Sequence, residues 1–325
     1  MNPLVSIVIP TYKREPEMME RAIKSVINQT YNNWELIIVD DNGYDSKYCS
    51  KNEVFMKKYV DNNKIIYIKH EFNKGANAAR NTGIKISKGS FVAFLDSDDE
   101  WKINKLERFI EAYNNSNKEC GVVFSSYFVV TENGIERDTQ IKSGGKLFYK
   151  EIYGDNVSPT SAVMVKKECF NKAGYFDENL PARQDYDMWL SISRFYEFTF
   201  IDEELVYIYR NGHEAISSNY KKHIEGTKMV LNKIYSYLSN EELYKYKKSI
   251  DNSQYNYIAL VCMRNEDYKL AKNYIIKAIK SKKNYESILI MLCSYVPIIF
   301  KMLRNIKRSR LANLRRNKEK FKRCI

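Results

Sequence analysis

The stretch Ser90-Phe91-Val92-Ala93-Phe94-Leu95-Asp96-Ser97-Asp98-Asp99 carries an apolar run straight into three acids. Ser90–Leu95 reads as a buried strand. Acids crowded at its exit repel one another unless a cation or a proton relieves them. Alternation along a strand places Asp96 and Asp98 on the same side. One or two carboxylates, with diphosphate oxygens and water, would complete a shell of roughly six ligands around Mg2+ or Mn2+. The other reading is a solvated acidic turn capping a helix over Asn104–Tyr113. The buried run just upstream favours the metal.

Outward from this point, strand and helix signals alternate. Val5–Pro10 is a β-branched run that stops at a proline. Met18–Asn28 places Met19, Ala22, Ile23, Val26 and Ile27 at helical spacing. Trp34–Val39 is a second buried strand running into Asp40-Asp41, and Lys64–Lys69 a short third. Gly75–Ser87 reads as a helix. The alternation predicts an α/β fold: a mainly parallel sheet flanked by helices on both faces. Such sheets bind ligands at the carboxyl ends of their strands. Pro10-Thr11, Asp40-Asp41 and Asp96–Asp99 all fall at that edge.

The middle continues the domain, with strands at Val122–Val130, Ser161–Val165, Thr199–Ile201 and Val206–Tyr209 and helices near Lys167–Ala173 and Asp187–Tyr196. After Ser218 glycine almost vanishes, and tyrosine, lysine and leucine recur at helical spacing. Two regions are therefore expected: 1–219, and an all-helical appendage over 220–325. Within the latter, Tyr255–Met263 and Tyr268–Lys280 form a helix pair around a tight turn.

Each candidate site residue has a structural alternative. Pro10-Thr11-Tyr12-Lys13-Arg14 offers a hydroxyl and two cations to a nucleoside and its phosphates, or is an ordinary strand-to-helix turn. Asp40 and Asp41 would accept from a ribose hydroxyl or a base N–H, or cap a helix. The helix opening that holds Asn77 and Arg80 has small residues and an N-terminus suited to anions. Arg80 would neutralise phosphate or tie down the acids; otherwise it is a salt-bridged arginine in a packed helix. No GxGxxG follows the first strand, which argues against a dinucleotide site. Asp185, entering a helix with Trp189 and Leu190, is a general base or a cap. His213 is a metal ligand, a phosphate contact or an exposed loop histidine.

The totals narrow the partners. A net charge of +13 over 325 residues points to anions: phosphates, nucleic acid or an acidic bilayer. Nucleic acid is disfavoured, because the acidic edge repels phosphates and the basic excess is concentrated in the tail. Six scattered cysteines with no CxxC pair argue for reduced thiols. Leu4–Ile9 is too short for a signal peptide and lacks a basic flank, and Ser287–Phe300 falls short of a membrane span. The chemistry is therefore expected on the cytosolic side. Lys301–Ile325 holds eleven Lys/Arg against one acid, Glu319, just after an apolar segment. That pairing over 286–325 suits an anionic membrane surface, which would make the protein cytoplasmic and peripheral on the inner face of the plasma membrane. The alternative is an apolar segment packed on the appendage and a solvated tail. A homo-oligomer stays open.

Taken in order, these pieces resemble glycosyltransferase family 2 with its GT-A nucleotide-sugar fold. The resemblance rests on Ser6-Ile7-Val8-Ile9-Pro10-Thr11-Tyr12, Ser25 to Tyr31, Glu35 to Asp41, Asn73 to Gly83 and Phe94 to Asp99. It continues through Gly174-Tyr175-Phe176-Asp177 and Gln184 to Trp189, and ends near Asn219. It implies a metal-dependent, inverting hexosyl- or N-acetylhexosaminyltransferase in bacterial surface polysaccharide synthesis. Its donor would be a UDP-sugar and its acceptor a glycan or lipid-linked hydroxyl. Pro10, Thr11 and Asp40 would hold uracil and ribose, with Tyr12, Arg14, Asp41, Asn77, Arg80, Asp96 and Ser97 around the nucleotide sugar. Asp96 and Asp98 would form the DxD pair for Mn2+ or Mg2+, with His213 a further metal or diphosphate contact and Asp185 the base. Gln184 stands where the family more often has glutamate. A sugar nucleotidyltransferase is the rival enzyme class, but it would carry a glycine-rich loop after the first strand, and Pro10–Arg14 has no glycine.

Overall fold

The computed structural model describes residues 2–60, 63–138, 140, 142–210 and 219–295. They form two compact units. Of these, the first holds the described residues up to 151, 155–180 and 184–210, and the second 152–154, 181–183 and 219–295.

In the first unit the chain runs β1 (Val5–Thr11), α1 (Pro16–Ile27), β2 (Trp34–Asp40), α2 (Lys47–Val60), β3 (Ile65–Lys69), α3 (Ala76–Ile86) and β4 (Phe91–Phe94). It continues β5 (Glu100–Trp101), α4 (Lys105–Asn114), β6 (Cys120–Thr131), β7 (Gly134–Arg137), α5 (Phe148–Glu151) and a 3-10 turn over Thr160–Ala162. Then come β8 (Val163–Lys166), α6 (Cys169–Ala173), α7 (Gln184–Ser193) and β9 (Glu197–Tyr209). One sheet has the order β3-β2-β1-β4-β8-β6-β9-β5, with β7 paired to β6. The β3-β2-β1-β4 half is parallel, as its βαβ crossovers require. Beyond β4 the sheet is mixed, with β8 antiparallel to both β4 and β6.

Side chains divide by the period of two. Ile7, Ile9, Leu36, Ile38, Phe91 and Ala93 point to one face, under α1 and α4, where Met19, Ile23 and Phe109 meet them. Val8, Val92 and Phe94 point to the other, against Ile84, Met188 and Trp189. Burial on both faces explains why these strands read as continuous apolar runs.

Several elements differ from the sequence expectation, among them the short β5, β7 and α5, which it does not include. The helix α2 has a weak signal, because one of its buried positions is a polar residue, Asn52, between Cys49 and Met56. The two strands expected at Thr199–Ile201 and Val206–Tyr209 are one strand. A register shift against β6 carries the chain from Ser125↔Ile201 to Ser126↔Glu204. Asp202 and Glu203 sit in this bulge and turn outward to Arg137 and Arg108, so the charged run does not end the strand.

The second unit has α8 (Tyr220–Tyr237), α9 (Asn240–Arg264), α10 (Tyr268–Ser281) and α11 (Tyr285–Tyr295). Asn219, Ser239 and Asp267 cap α8, α9 and α10, and Ser239 with Glu242 closes a capping box. Ile258, Ala259, Cys262, Ala271, Ile275 and Ile290 form its core. The buried Asn252 Nδ2 lies within 2.9 Å of Ala278 O, Lys282 O and Ser287 Oγ, and shares its two N–H groups among them, fastening the end of α10 to α11. No helix among the described residues is long and apolar enough to cross a membrane.

Close packing of α3 on β1 depends on Gly83, where an added Cβ would lie 2.4 Å from Val8 Cγ1. Gly83→Ala is expected to cost about 1–3 kcal/mol in urea denaturation, and Val8→Ala in the same chain to recover part of that loss. Lys105 is also decisive. It is fully buried, with Nζ 3.8 Å from the ring centres of Trp101 and Phe109 and no hydrogen-bond partner among the described residues. Burial lowers its pKa well below the usual lysine range. The neutral amine is favoured in the fold, so stability is full above the unfolded pKa and falls as pH drops through the folded value. Lys105→Met is expected to flatten this dependence and add about 1–3 kcal/mol near neutral pH, read by denaturation across a pH series.

Candidate active site

Parallel register brings the strand ends together: Thr11 lies beside Asp40, and Val8 beside Phe94. The strand β4 ends two residues before Asp96, so strand alternation does not set the direction of the acids. Asp96–Asp99 is instead a turn closed by Asp99 N–H donating to Asp96 O at 3.0 Å.

The three acids have different surroundings. Asp96 and Asp98 keep 36% and 24% of their side chains exposed. Asp96 Oδ1 accepts from Arg80 Nη2 at 2.8 Å, and Asp98 Oδ2 from Arg14 Nη2 at 2.6 Å. Asp99 is buried. Its Oδ2 accepts from Ser161 Oγ at 2.5 Å and its Oδ1 from Tyr209 N–H at 3.1 Å. Ser161 Oγ also accepts from Asp96 N–H at 3.0 Å. Burial pushes the Asp99 carboxyl well above the usual range, and the charges of Asp96 and Asp98 push it further. Burial raises Asp98 too; Arg14 opposes this and Asp96 adds to it. Ser97 is buried within the turn.

The strand-end acids of β2 are held by hydrogen bonds within the fold. Asp40 is fully buried, and both of its oxygens are engaged. Oδ1 accepts from Asn42 N–H and Nδ2, and Oδ2 from Asn52 Nδ2 and Tyr67 OH. Asp41 is also buried. Its oxygens accept from Lys74 N–H and Gly75 N–H, both at 2.8 Å, and Oδ1 lies 2.7 Å from His70 Nδ1. It caps the entry to α3, where Gly75 has φ +93°, a conformation that favours glycine. Asn77 likewise turns inward and donates to Asp177 O at 2.6 Å. Both families of contact arise because two strand ends and a helix start converge and leave backbone N–H groups to satisfy.

Other expected residues lie at the rim. Thr11 is buried, and its Oγ1 has no partner among the described residues. Pro10 is half-buried and Tyr12 is exposed. Asp185 is half-buried in the first turn of α7, where its Oδ1 accepts from Tyr186 N–H at 2.8 Å. One turn further on, Trp189 Nε1 donates to Ser158 O at 3.1 Å. Two residues along, Thr160 Oγ1 stands 3.5 Å from Asp96 Oδ2 and from Arg80 Nη2. The segment Ser158–Ser161 thus links the Asp185 helix to the acid turn. Asp187 is buried. His213 lies outside the described residues.

Hard oxygen donors, partial exposure and mutual repulsion make Asp96 and Asp98 fit for a divalent cation. Among the described residues, no set of three or more His, Cys, Asp or Glu side chains is gathered to hold one alone. Phosphate oxygens and water would have to supply the remaining ligands, the arrangement in which Mg2+ is commonly held.

Residues 6–172 match the model of Glycosyl transferase family 2, and the chain belongs to that family. The putative teichuronic acid biosynthesis glycosyltransferase TuaG of Bacillus subtilis is 31% identical over 72% of this chain and 89% of its own length. The Escherichia coli UDP-Glc:alpha-D-GlcNAc-diphosphoundecaprenol beta-1,3-glucosyltransferase WfgD is 31% identical over 68% of this chain and 83% of its own. Among solved structures, the Pyrobaculum calidifontis mannosyltransferase PcManGT in complex with GDP-Man and Mn2+ superimposes with a TM-score of 0.60. That match covers 95% of this chain and 84% of PcManGT at 14% identity. The fold is GT-A and the protein is a glycosyltransferase, with relatives in bacterial polysaccharide biosynthesis.

Sequence reasoning missed Arg21, Tyr209 and Ser161. Arg21 donates to Asp98 O and lies with its guanidinium 3.5 Å from the Tyr209 ring centre. Tyr209 OH donates to Glu100 Oε2 at 2.8 Å. Arg21 reads as one more charge on an amphipathic helix, so no local signal separates it from solvated neighbours. Arg21→Ala is expected to lower glycosyl transfer about tenfold, roughly 1.4 kcal/mol in kcat/KM, with partial recovery in Arg21→Lys. Steady-state kinetics on the two variants checks it.

Proposed function

We propose that this protein transfers a hexosyl or N-acetylhexosaminyl group from a UDP-sugar to a hydroxyl of a glycan or lipid-linked acceptor. Inversion at the anomeric carbon and a role in bacterial surface polysaccharide synthesis belong to the same reading. The observation that carries it is the pair of arginine-bridged, partly exposed carboxylates, Asp96 and Asp98, at the carboxyl edge, coupled through Ser158–Thr160 to the helix of Asp185. The names of TuaG and WfgD, with their undecaprenyl, UDP-Glc and teichuronic acid terms, support the donor and acceptor classes. The Mn2+ in the PcManGT complex supports a divalent ion.

Asp96 and Asp98 would hold Mn2+ or Mg2+, which when bound offsets charge on the departing diphosphate. The chain's own groups do the rest. Arg14 and Arg80 lie within reach of the same carboxylates, so they can exchange a carboxylate oxygen for a phosphate oxygen as the donor enters. Pro10, Thr11 and Tyr12 face the nucleoside from the end of β1, with the Thr11 hydroxyl unpaired among the described residues. Asp40 would accept from the uracil or ribose beside them, with Asp41 holding the loop that opens α3. Asp185 accepts the acceptor's hydroxyl proton on a carboxylate oxygen as the hydroxyl oxygen bonds to the anomeric carbon and the bond to the diphosphate breaks. A retaining route would need a second carboxylate close to the sugar. Asp187 is buried in the same helix turn, which supports a single displacement.

The test is UDP release across a panel of UDP-sugars, with Mn2+ and with chelator. Asp185→Asn is expected to lower kcat by about 10²–10⁴-fold with donor binding retained, and Asp98→Ala to abolish metal-stimulated turnover. Wild-type turnover in Asp185→Asn, or full activity in chelator, would remove that group from the mechanism.

A further inference from the structure

The second unit carries a surface that sugar transfer does not use. Helix α11 buries Ser287, Ile290, Cys293 and Ser294. On its other side Tyr285, Ile288, Leu289, Leu292 and Tyr295 are 43–80% exposed. At 3.6 residues per turn these five fall within an arc of about 120°, a continuous apolar stripe. The neighbouring α10 adds Ile276, 42% exposed.

Charge identifies what this face meets. From Tyr268 to Tyr295 the only acid is Glu286, against Lys269, Lys272, Lys277, Lys280, Lys282 and Lys283. All but Lys272 are exposed, and the Lys272 ammonium lies 3.8 Å from the Tyr295 ring centre, which joins the basic rim to the apolar stripe. The sequence that follows has the same sign, eleven Lys/Arg against one acid over 301–325. A second copy of this face would bring lysine to lysine. Nucleic acid would use the lysines and leave isoleucine and leucine in water. Aliphatic side chains rimmed by lysine match one surface on both counts, a bilayer with anionic headgroups.

We propose that the α10–α11 face lies in the interface of an anionic membrane. Leu289 and Leu292 enter the acyl boundary and the lysines sit at headgroup phosphates. This contact would begin at Lys269, on folded helices, rather than at 286. A face of this kind would hold the enzyme at the surface where a lipid-linked hydroxyl is presented, although its membrane binding is independent of the donor reading.

Flotation of the full chain with phosphatidylcholine vesicles, with and without phosphatidylglycerol, tests it. Binding is expected only with phosphatidylglycerol and is expected to fall as salt rises. Leu289→Glu/Leu292→Glu and Lys277→Glu/Lys280→Glu should each weaken partitioning about tenfold or more, because each lysine near such a surface is worth about 1 kcal/mol. Both pairs are exposed, so circular dichroism should stay at wild type. Partitioning of the leucine variant at the wild-type level would overturn the proposal, since the tail alone would then hold the membrane. So would equal binding to neutral vesicles, or a wild-type dimer that the leucine variant splits.

Discussion

Asp96, Asp98 and Asp99 crowd the exit of one buried strand, and their repulsion has to be relieved differently at each position. Asp99 goes inward, where burial raises its proton affinity and Ser161 and Tyr209 meet its two oxygens. Asp96 and Asp98 stay at the surface, each facing an arginine. The inward acid fixes the turn, and the turn fixes where the outward pair points. Because Asp99 reaches both the Thr160–Ala162 turn and the end of β9, this arrangement also holds the parallel half of the sheet to its mixed half at the site.

The neighbouring strand end follows the same logic with a different outcome. Asp40 and Asp41 accept from backbone and side-chain donors of the loops around them, which ties those loops to the end of β2. Preorganisation of this kind keeps Arg80 and the start of α3 in place, and charge stabilisation is effective only when its donors need not move at the moment of reaction. Arg21 extends the support from behind, holding the carbonyl of Asp98 while stacking on Tyr209.

The second unit answers to different physics. Its core is small, and it is stapled by buried amides: Asn252 alone satisfies acceptors at the end of α10 and on α11. That network fixes the roll of α11 about its axis, and therefore decides which of its apolar residues are buried and which remain exposed beside the lysines of α10.

Much of the first unit was legible in the sequence. Strands buried on both faces leave unbroken apolar runs, amphipathic helices leave a spacing, and the acids mark the carboxyl edge of the sheet, because all three depend on neighbours close in the chain. The fold class and the edge carrying Pro10, Thr11, Asp96 and Asp98 follow from that local pattern. Tertiary structure alone decided the rest. Whether a carboxylate faces solvent or a ring of donors depends on residues far away in sequence. Asp40 is held by Asn52 and Tyr67, Asp41 by His70 and Gly75, and Asp99 by Ser161 and Tyr209. The bulge that makes β9 one strand, and the support from Arg21, were hidden for the same reason: a sequence records each residue's chemistry, while the partners that decide what the chemistry is for are brought together only by folding.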